Sequence, residues 1–228
     1  MGKGSNIKFK IRGYIKKLNF VSDIYWKYCY CPASLQIDLS KFQSQPEKPG
    51  FKMCTLSLSS PLFEDYVEFI NTSYEEKIYT KEQLADLLTN HHYLKNVETY
   101  VLLNQEDEIV GSISAGVYRD DEQWGGLFKF ATKKSQRKQG LGMYVLQYGC
   151  YALKERGYMN GESIISDRRS RIASLMTHFK CGFVPQTDRN KVKFSACRGE
   201  HNKLKGKMTN KWVMKYYNMF LAKHAGGK

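Results

Sequence analysis

The clearest chemical potential in this sequence lies in a basic stretch with two glycines, RKQGLG at 137–142, which directly precedes an apolar-periodic segment. Glycine lets a backbone turn tightly and approach a ligand closely. A helix that begins here offers unpaired N–H groups and the positive end of its dipole, which together bind anions. Arg137 adds a charge suited to a pyrophosphate. The pattern predicts an anion site, and the alternative is a glycine-rich turn that binds nothing.

Other motifs with a known chemistry are missing from the sequence. It contains neither the G-x-x-x-x-G-K-[ST] of a P-loop nor the G-x-G-x-x-G of a Rossmann fold. The six cysteines form no CxxC pair, and the spacing of Cys29 and Cys31 is too tight for a zinc knuckle. We therefore expect no metal site and free thiols. Nucleophilic catalysis of the Cys–His or Ser–His type has no supporting signature either.

The elements around the 137–142 stretch follow a regular order. After a short strand at 51–60, the sequence predicts two helices, three antiparallel strands, a helix, a strand, a helix and two final strands. The final strands are assigned to KVKFSACR (191–198) and KWVMKYYNMF (211–220). This order predicts an α/β domain with one mixed central sheet flanked by helices.

The N-terminal part of the chain differs from the rest. Residues 1–50 are basic and aromatic, and they end in SQPEKPG, a polar segment with two prolines that is typical of a linker. We expect an N-terminal extension at 1–50 whose role the sequence does not reveal, a main domain at 51–220 and a C-terminal tail at 221–228.

Composition and charge limit the class of protein. The 16 tyrosines and 12 phenylalanines argue against a disordered chain. The sequence has no apolar run of 18 residues and no apolar core of a signal peptide near its start, so we expect a cytoplasmic protein without a membrane span. The net charge of +14 leaves three explanations open: a nucleic-acid surface, an anionic ligand, or solubility.

The sequence resembles the GNAT superfamily of N-acetyltransferases. The match runs from IVGSISAGVY through GLFKFATKKSQRKQGLG to HFKCGFVP, with weaker agreement back to about residue 56 and forward to about 217. In that family R-x-x-G-x-G binds the pyrophosphate of acetyl-CoA, and the preceding strand pairs with its pantetheine arm. The resemblance implies a GNAT-like fold and acetyl-CoA as the co-substrate.

The resemblance also assigns residues to the cofactor. Arg137 would contribute charge to the pyrophosphate site, and the backbone donors would come from Lys138, Gln139, Gly140, Leu141 and Gly142. The pantetheine arm would face the end of the preceding strand, at Phe130, Ala131 and Thr132.

The late helix carries a departure from the family pattern. The family usually has a Tyr four residues before a Gly-Phe pair, which commonly serves as general acid toward the departing thiolate or helps to hold the cofactor. Gly182 and Phe183 match the pair, but the Tyr position is His178. A histidine has a reference pKa of about 6.5 and can protonate a thiolate. The resemblance implies His178 as the acid, and the alternative is a half-buried structural histidine.

The general base and the acceptor site are less well marked. Many family members take the base from a Glu on the strand before the phosphate loop, but here only Glu122, at the mouth of that strand, is available. Its alternative is a solvated hairpin tip, and Glu162 and Asp167 are similar candidates. In the family the first two helices border the acceptor site, so Tyr74 and Tyr79 are expected to line it unless they only pack.

Together these expectations describe an N-acetyltransferase that moves an acetyl group from acetyl-CoA to a primary amine of a small molecule or peptide. The amine would attack the thioester carbonyl directly, with strand N–H groups stabilising the oxyanion. Two alternatives remain. One is a longer-chain N-acyltransferase. The other is a GNAT-like protein that binds nucleic acid through its basic surface, either without catalysis or acting on aminoacyl-tRNA. The oligomeric state, including a homodimer, stays open.

Overall fold

The β-branched and aromatic runs of the chain assemble into one mixed sheet in the computed structural model. It describes residues 33–74, 78–119, 121–165, 172–185 and 213–224, without the side chains of Ala33 and Glu122. Several predictions fall outside the described residues, namely residues 1–32 of the extension, the strand at 191–198, the end of the tail at 225–228, Asp167 and the side chain of Glu122.

The described strands are β1 (Ala33–Asp38), β2 (Lys52–Thr55), β3 (Leu94–Leu103), β4 (Ile109–Tyr118), β5 (Asp121–Thr132), β6 (Asn160–Ile165) and β7 (Val184–Pro185). They form a seven-stranded sheet in the order β2-β3-β4-β5-β6-β1-β7. The pairs from β2 to β5 are antiparallel, as the sequence predicts for β3, β4 and β5, whereas β5 and β6 are parallel. The mixed sheet arises because a helix crosses over between β5 and β6.

Helices cover both faces of this sheet. They are α1 (Leu62–Ser73), α2 (Lys81–Thr89), α3 (Leu141–Glu155) and α4 (Ile172–Cys181). On one face, α1 and α2 bury an apolar cluster against the strands, formed by Phe63, Tyr66, Ile70, Leu84, Leu88, Val101 and Leu103. On the other face lie α3 and α4, which pack against each other. The predicted α/β fold with flanking helices is confirmed.

Local signals explain where the first two helices begin. The Ser60 hydroxyl oxygen accepts a hydrogen bond from the N–H of Leu62 at 3.2 Å. Thr80 and Gln83 form a capping box before α2, with each side chain bonded to the backbone N–H of the other residue. The described part of the chain has no helix that is long and apolar enough to cross a membrane.

Strand β1 comes from the segment that the sequence analysis set apart as an extension. It lies between β6 and β7 in the sheet, and its residues Leu35 and Ile37 are buried. Residues 33–38 are therefore part of the same sheet as the strands of the main domain. The prolines and glycine of 44–50 connect two strands of one sheet.

The prediction of a strand at 211–220 is wrong, because residues 213–224 form a helix, α5. Tyrosine and valine favour strands, but this preference depends strongly on context. A helical signal was present in the sequence: Val213, Tyr216, Tyr217 and Phe220 recur at the spacing of one helix face.

Candidate functional site

The predicted phosphate loop connects β5 to α3. After Thr132 the chain forms a short 3-10 turn, Lys134–Gln136, and α3 then begins at Leu141. Gly140 occupies the left-handed region with φ +79°, which costs glycine little, and Lys138 has φ +69°. The side-chain amide of Gln139 donates to Oε1 of Gln136 at 2.9 Å and closes the loop on itself.

The start of α3 has the properties of an anion site. Gly140 has no side chain with which to cap the first N–H groups of the helix, and the first turn contains no acidic residue. Residues 137–140 are exposed to solvent. A Cβ atom built on Gly140 would have no neighbour within 4 Å, so the space beside Gly140 is open where its side chain would be. This arrangement fits a phosphate group.

The strand before the loop contains a β-bulge. Ser112 of β4 pairs with Ala131, and Ser114 pairs with Phe128, so Lys129 and Phe130 together oppose a single residue of β4. Lys129 has φ +51°, which is uncommon for a residue with a side chain. The bulge changes the direction of β5 at the start of the predicted pantetheine segment.

Two side chains from other elements hold the bulge. The Ser112 hydroxyl donates to the carbonyl oxygen of Lys129 at 3.0 Å. The Tyr74 hydroxyl, at the end of α1, donates to the carbonyl oxygen of Phe130 at 2.7 Å. Because both carbonyls of the bulge have a fixed partner, the peptide groups between them are also held in one orientation.

Replacing Tyr74 by Phe is expected to lower the free energy of unfolding by about 1 kcal/mol, since the carbonyl of Phe130 loses its partner. We expect a several-fold weaker affinity for acetyl-CoA in addition, because the bulge is less firmly held. Chemical denaturation and equilibrium titration measure the two effects. Tyr158→Phe is the matched control, since the Tyr158 hydroxyl makes no hydrogen bond within the described residues. Equal affinities in both variants would contradict this role.

Just before the bulge, β5 separates from β6. The parallel ladder between them pairs Trp124 with Asn160 and ends where Leu127 meets Ser163, although β5 continues to Thr132. The polar edge of a strand that leaves its neighbour is a surface on which an extended ligand can pair. The residues predicted to face pantetheine, Phe130, Ala131 and Thr132, therefore lie on a diverging strand that begins in the bulge and ends at the predicted phosphate loop.

The two predicted acceptor-site tyrosines meet at Lys129. The ammonium group of Lys129 donates to the Tyr79 hydroxyl at 2.7 Å. It also lies 4.1 Å from the ring centroid of Tyr79 and 5.3 Å from that of Tyr74. These distances allow cation–π attraction with both rings. The structure thus brings Tyr74 and Tyr79 together, and it adds a lysine that the sequence analysis did not single out.

Asn71 holds Tyr79 in position. Its side-chain amide donates to the carbonyl oxygen of Tyr79 at 2.9 Å, and its Oδ1 accepts from the N–H of Tyr79 at 2.8 Å. This pair of hydrogen bonds ties the residue before α2 back to the last turn of α1. The side chain of Tyr79 therefore reaches Lys129 from a fixed backbone position.

His91 borders the same cluster from the turn after α2. Its ring lies 4.6 Å from that of Phe128, and its Nδ1 accepts from the N–H groups of Tyr93 and Leu94 at 3.3 and 3.2 Å. Burial, and after it the positive charges of neighbouring groups, among them Lys129, together lower the pKa of His91 to about 4. His91 is therefore neutral at physiological pH.

His178 lies in the core. Its side chain is 1% exposed, and Nδ1 lies 2.8 Å from the carbonyl oxygen of Ser174 while Nε2 lies 2.9 Å from the Ser163 hydroxyl. A carbonyl oxygen only accepts, so Nδ1 carries the proton and Nε2 accepts from Ser163. The ring also packs edge-on against Phe130 and Phe183, with centroid distances of 5.4 and 5.0 Å.

This environment argues against the predicted acid role of His178. Burial lowers its pKa to about 4, so the ring is neutral at pH 7. Both ring nitrogens already have partners inside the protein, and a neutral, bonded imidazole is a poor proton donor to a thiolate. What the geometry favours is the alternative from the sequence, a structural histidine that supports Phe130 from the α4 side.

Glu162 is the one candidate base whose side chain the structure describes. It is 3% exposed, and Oε1 accepts a hydrogen bond from the Ser34 hydroxyl of β1. Its Oε2 has no hydrogen-bond partner within the described residues. It pairs in register with Gly126. The backbone of Glu162 therefore lies next to the point where β5 and β6 separate, and its proton-accepting role stays a prediction. The described residues contain no group of three or more His, Cys, Asp or Glu that could hold a metal.

Three positioning residues escaped the sequence analysis. Lys129 stands between two phenylalanines, which is the pattern of an ordinary strand with one solvated face. Ser112 looks like a small residue in a buried strand. Only Asn71 had a usable local signal, since Asn near a helix end often bonds to backbone groups. The bulge depends on the register between two strands, and a single strand does not record that register.

The comparisons with known proteins agree with this architecture. The model of the acetyltransferase (GNAT) family matches residues 62–183. The GCN5-related N-acetyltransferase of Sphaerobacter thermophilus superposes with a TM-score of 0.54 at 15% identity, over 74% of this chain and 53% of that protein. A GCN5-related glucosamine N-acetyltransferase region of a fungal multi-domain GH3 β-N-acetylglucosaminidase superposes with a TM-score of 0.50 at 14% identity, over 74% of this chain and 22% of that protein. No curated protein matches the chain.

The structural similarities establish a shared fold and nothing more, because the sequence identities are low. The chain spans about half the length of the Sphaerobacter protein (53%). The family match carries more weight, because it covers over half of the 228 residues and includes the bulged strand, the phosphate loop and α4. The resemblance seen in the sequence is confirmed, and the chain belongs to the GNAT family of acetyltransferases.

Proposed function

We propose that this protein transfers the acetyl group of acetyl-CoA to a primary amine of a small molecule or peptide, by direct attack within a ternary complex. The observation that carries the proposal is the join between β5 and α3. There a bulged strand that leaves its neighbour runs directly into an exposed helix start with no acidic residue and no side-chain cap. At such a join the edge of the strand can pair with an extended chain, and the positive end of the helix dipole can bind a pyrophosphate.

The residues of this join have separate tasks in the proposal. The backbone N–H groups of 138–142 bind the pyrophosphate, with Arg137 adding positive charge. The edge of Phe130, Ala131 and Thr132 pairs with the pantetheine arm. Acetyl-CoA, when bound, supplies an acetyl group activated as a thioester. The order of these residues along β5 puts the reactive end at the bulge.

The bulge is the place where backbone groups can be preorganised for the reaction. Its two carbonyls are held by Ser112 and Tyr74, so the N–H groups of the same peptides keep one orientation. Donors that are fixed before the reaction stabilise a developing oxyanion without a reorganisation cost. The acceptor amine then approaches from the side of Tyr74 and Tyr79, which lie beside the bulge.

Thermal unfolding in the presence of acetyl-CoA tests the cofactor assignment. A ligand that binds only the folded state adds about 3 kcal/mol at a hundredfold excess over its Kd. We therefore expect a clear rise in Tm with acetyl-CoA and with CoA. Longer acyl-CoAs in the same assay distinguish an acetyltransferase from the longer-chain alternative. An unchanged Tm with every CoA compound would refute the assignment.

The nucleic-acid alternative predicts a different result. The net charge of +14 would then serve a phosphate backbone, and binding to RNA would weaken steeply as salt is added. Electrophoretic mobility shifts at two salt concentrations measure this. Protein that purifies free of nucleic acid and still responds to acetyl-CoA supports the transferase proposal.

A further inference from the structure

Lys129 has a position that the proposed reaction does not yet use. Lys129 is part of the bulge of β5. There the Ser112 hydroxyl donates to the carbonyl oxygen of Lys129, and the Tyr74 hydroxyl donates to the carbonyl oxygen of Phe130. Because of the bulge, its side chain does not follow the alternation of the strand, and it reaches the tyrosines of α1 and of the segment before α2. The backbone from which this ammonium group extends is thus held by two hydrogen bonds.

The ammonium group itself is also held. It donates to the Tyr79 hydroxyl at 2.7 Å and lies within cation–π range of the Tyr79 and Tyr74 rings. Asn71 in turn fixes Tyr79 through two hydrogen bonds. Both the hydroxyl oxygen and the ring faces interact favourably with a positive charge. The site therefore contains a positive charge with a defined position.

The surroundings of Lys129 strengthen this positive character. Arg119 lies nearby and donates from Nε to the carbonyl oxygen of His91 at 3.3 Å. His91 is half-buried, and its partial burial together with the charges of His92, Lys129 and Arg119 lowers its pKa to about 4. The charges of the described residues that act on His91, including that of Lys129, are therefore positive.

The direction of β5 puts the ammonium group of Lys129 at the end of the proposed cofactor strand that is farther from the predicted phosphate loop. From the phosphate loop the proposed cofactor strand runs back through Thr132, Ala131 and Phe130, and the next residue is Lys129. The acceptor amine must meet the acetyl group at this end of the strand. An acceptor therefore enters beside a fixed ammonium group, which repels a second cation and attracts an anion.

We propose that Lys129 selects the acceptor, and that the acceptor is an amine that carries an anionic group, a carboxylate or a phosphate, close to the reacting nitrogen. This inference rests on the proposed acetyl transfer and deepens it. The anionic group would lie against the ammonium of Lys129, and Tyr74 and Tyr79 would line the space around it. A polyamine or a peptide rich in lysine would be a poor acceptor.

Matched pairs of amines test the proposal. Each proteinogenic L-amino acid is compared with its own amide, and phosphoethanolamine is compared with ethanolamine. CoA thiol release from acetyl-CoA gives kcat/KM for both members, and the ratio within a pair is then compared between wild type and Lys129→Gln. Because both proteins receive the same pair, the different basicity of the two amines cancels. Spermidine serves as the cationic acceptor.

We expect Lys129→Gln to lower the ratio of anionic to neutral acceptor by about tenfold or more, since a charge-assisted hydrogen bond is lost. Lys129→Arg should retain most of the preference. Lys52→Gln removes the same charge from an exposed position on β2 and should leave the ratio unchanged. Calorimetric titration of the CoA-loaded protein with the same amines measures binding without acetyl transfer. In this experiment Lys129→Gln should weaken the binding of the anionic amines alone.

Three results would overturn the proposal: an unchanged ratio in Lys129→Gln, faster wild-type acetylation of spermidine than of every anionic amine, or acetylation of no anionic amine by protein that acetyl-CoA stabilises. Failure of the underlying function looks different, because acetyl-CoA would then leave Tm unchanged in the wild type. The two failures are therefore separated by one thermal measurement.

Discussion

Replacing Gly140 by Asp is expected to remove the rise in Tm that acetyl-CoA produces and to raise its Kd by about a hundredfold or more. The new carboxylate would stand at the start of α3, where it caps the N–H groups that the pyrophosphate needs and repels the phosphate charges. Two like charges about 4 Å apart repel by about 4 kcal/mol at the effective dielectric of a protein surface. Isothermal titration of the folded variant with acetyl-CoA measures the effect.

The variant itself should fold. The backbone at Gly140 is left-handed, and Asp is among the residues that tolerate this conformation best. A Cβ there meets no atom within 4 Å. The circular dichroism spectrum and the Tm without ligand should therefore stay close to those of the wild type.

Gly157→Asp is the matched control for this experiment. Gly157 also has a positive φ, +89°, and an added Cβ there also meets nothing within 4 Å. It follows the end of α3, a helix of 15 residues, and thus lies about 22 Å from Gly140 along the axis. Gly157→Asp should keep the full response to acetyl-CoA. A normal response in Gly140→Asp, or a lost response in both variants, would contradict the phosphate-site assignment.

Replacing His178 by Ala is expected to lower the free energy of unfolding by about 3 kcal/mol. The substitution leaves a cavity between Phe130 and Phe183, and it removes the partners of the Ser163 hydroxyl and the Ser174 carbonyl. Urea denaturation at pH 7 measures the loss. A change below about 1 kcal/mol would contradict the structural role.

The pH dependence of stability gives a second measurement on His178. Its pKa is about 4 in the folded protein and near the ordinary 6.5 in the unfolded chain, so only the unfolded chain binds a proton between these values. Stability is therefore complete above pH 6.5 and falls by about 3 kcal/mol as the pH decreases toward 4. His178→Gln should reduce this slope, with the part due to His91 remaining.

His224→Gln serves as the control for this slope, because it removes an exposed histidine instead of a buried one. Turnover separates the structural role from the catalytic one. In the folded His178→Gln variant we expect less than about a tenfold change in kcat. A hundredfold lower kcat with normal acetyl-CoA affinity would restore the acid role that the sequence implied.

The glycine-containing join between β5 and α3 and the order of most elements were predictable because their signals are local. Arg137, Gly140 and Gly142 lie within six residues of one another. The apolar periodicity that follows them indicates a helix without information from distant parts of the chain. The three strands before the loop were predictable for the same reason. The helix at 213–224 differs from the predicted strand because its tyrosines favour strands by residue type, whereas their spacing is that of one helix face.

The chemistry around the acceptor was less accessible. Tyr74 and Tyr79 could be named from the resemblance, but their meeting with Lys129 depends on a bulge that only the pairing of β4 and β5 creates. His178 shows the same limit from the other side. Its type and position suggested an acid. Its burial and its hydrogen bonds to Ser163 and Ser174 oppose that role.

The sequence alone therefore determined the join of a strand and a helix at 137–142, the α/β class and the family of the protein, because glycine spacing, helix signals and strand patterns are properties of neighbouring residues. The tertiary structure alone decided the bulge at Lys129, the burial of His178 and the entry of residues 33–38 into the sheet. Each of these depends on contacts between segments far apart in the chain. Strand register, burial and shifted pKa values exist only once those segments have met.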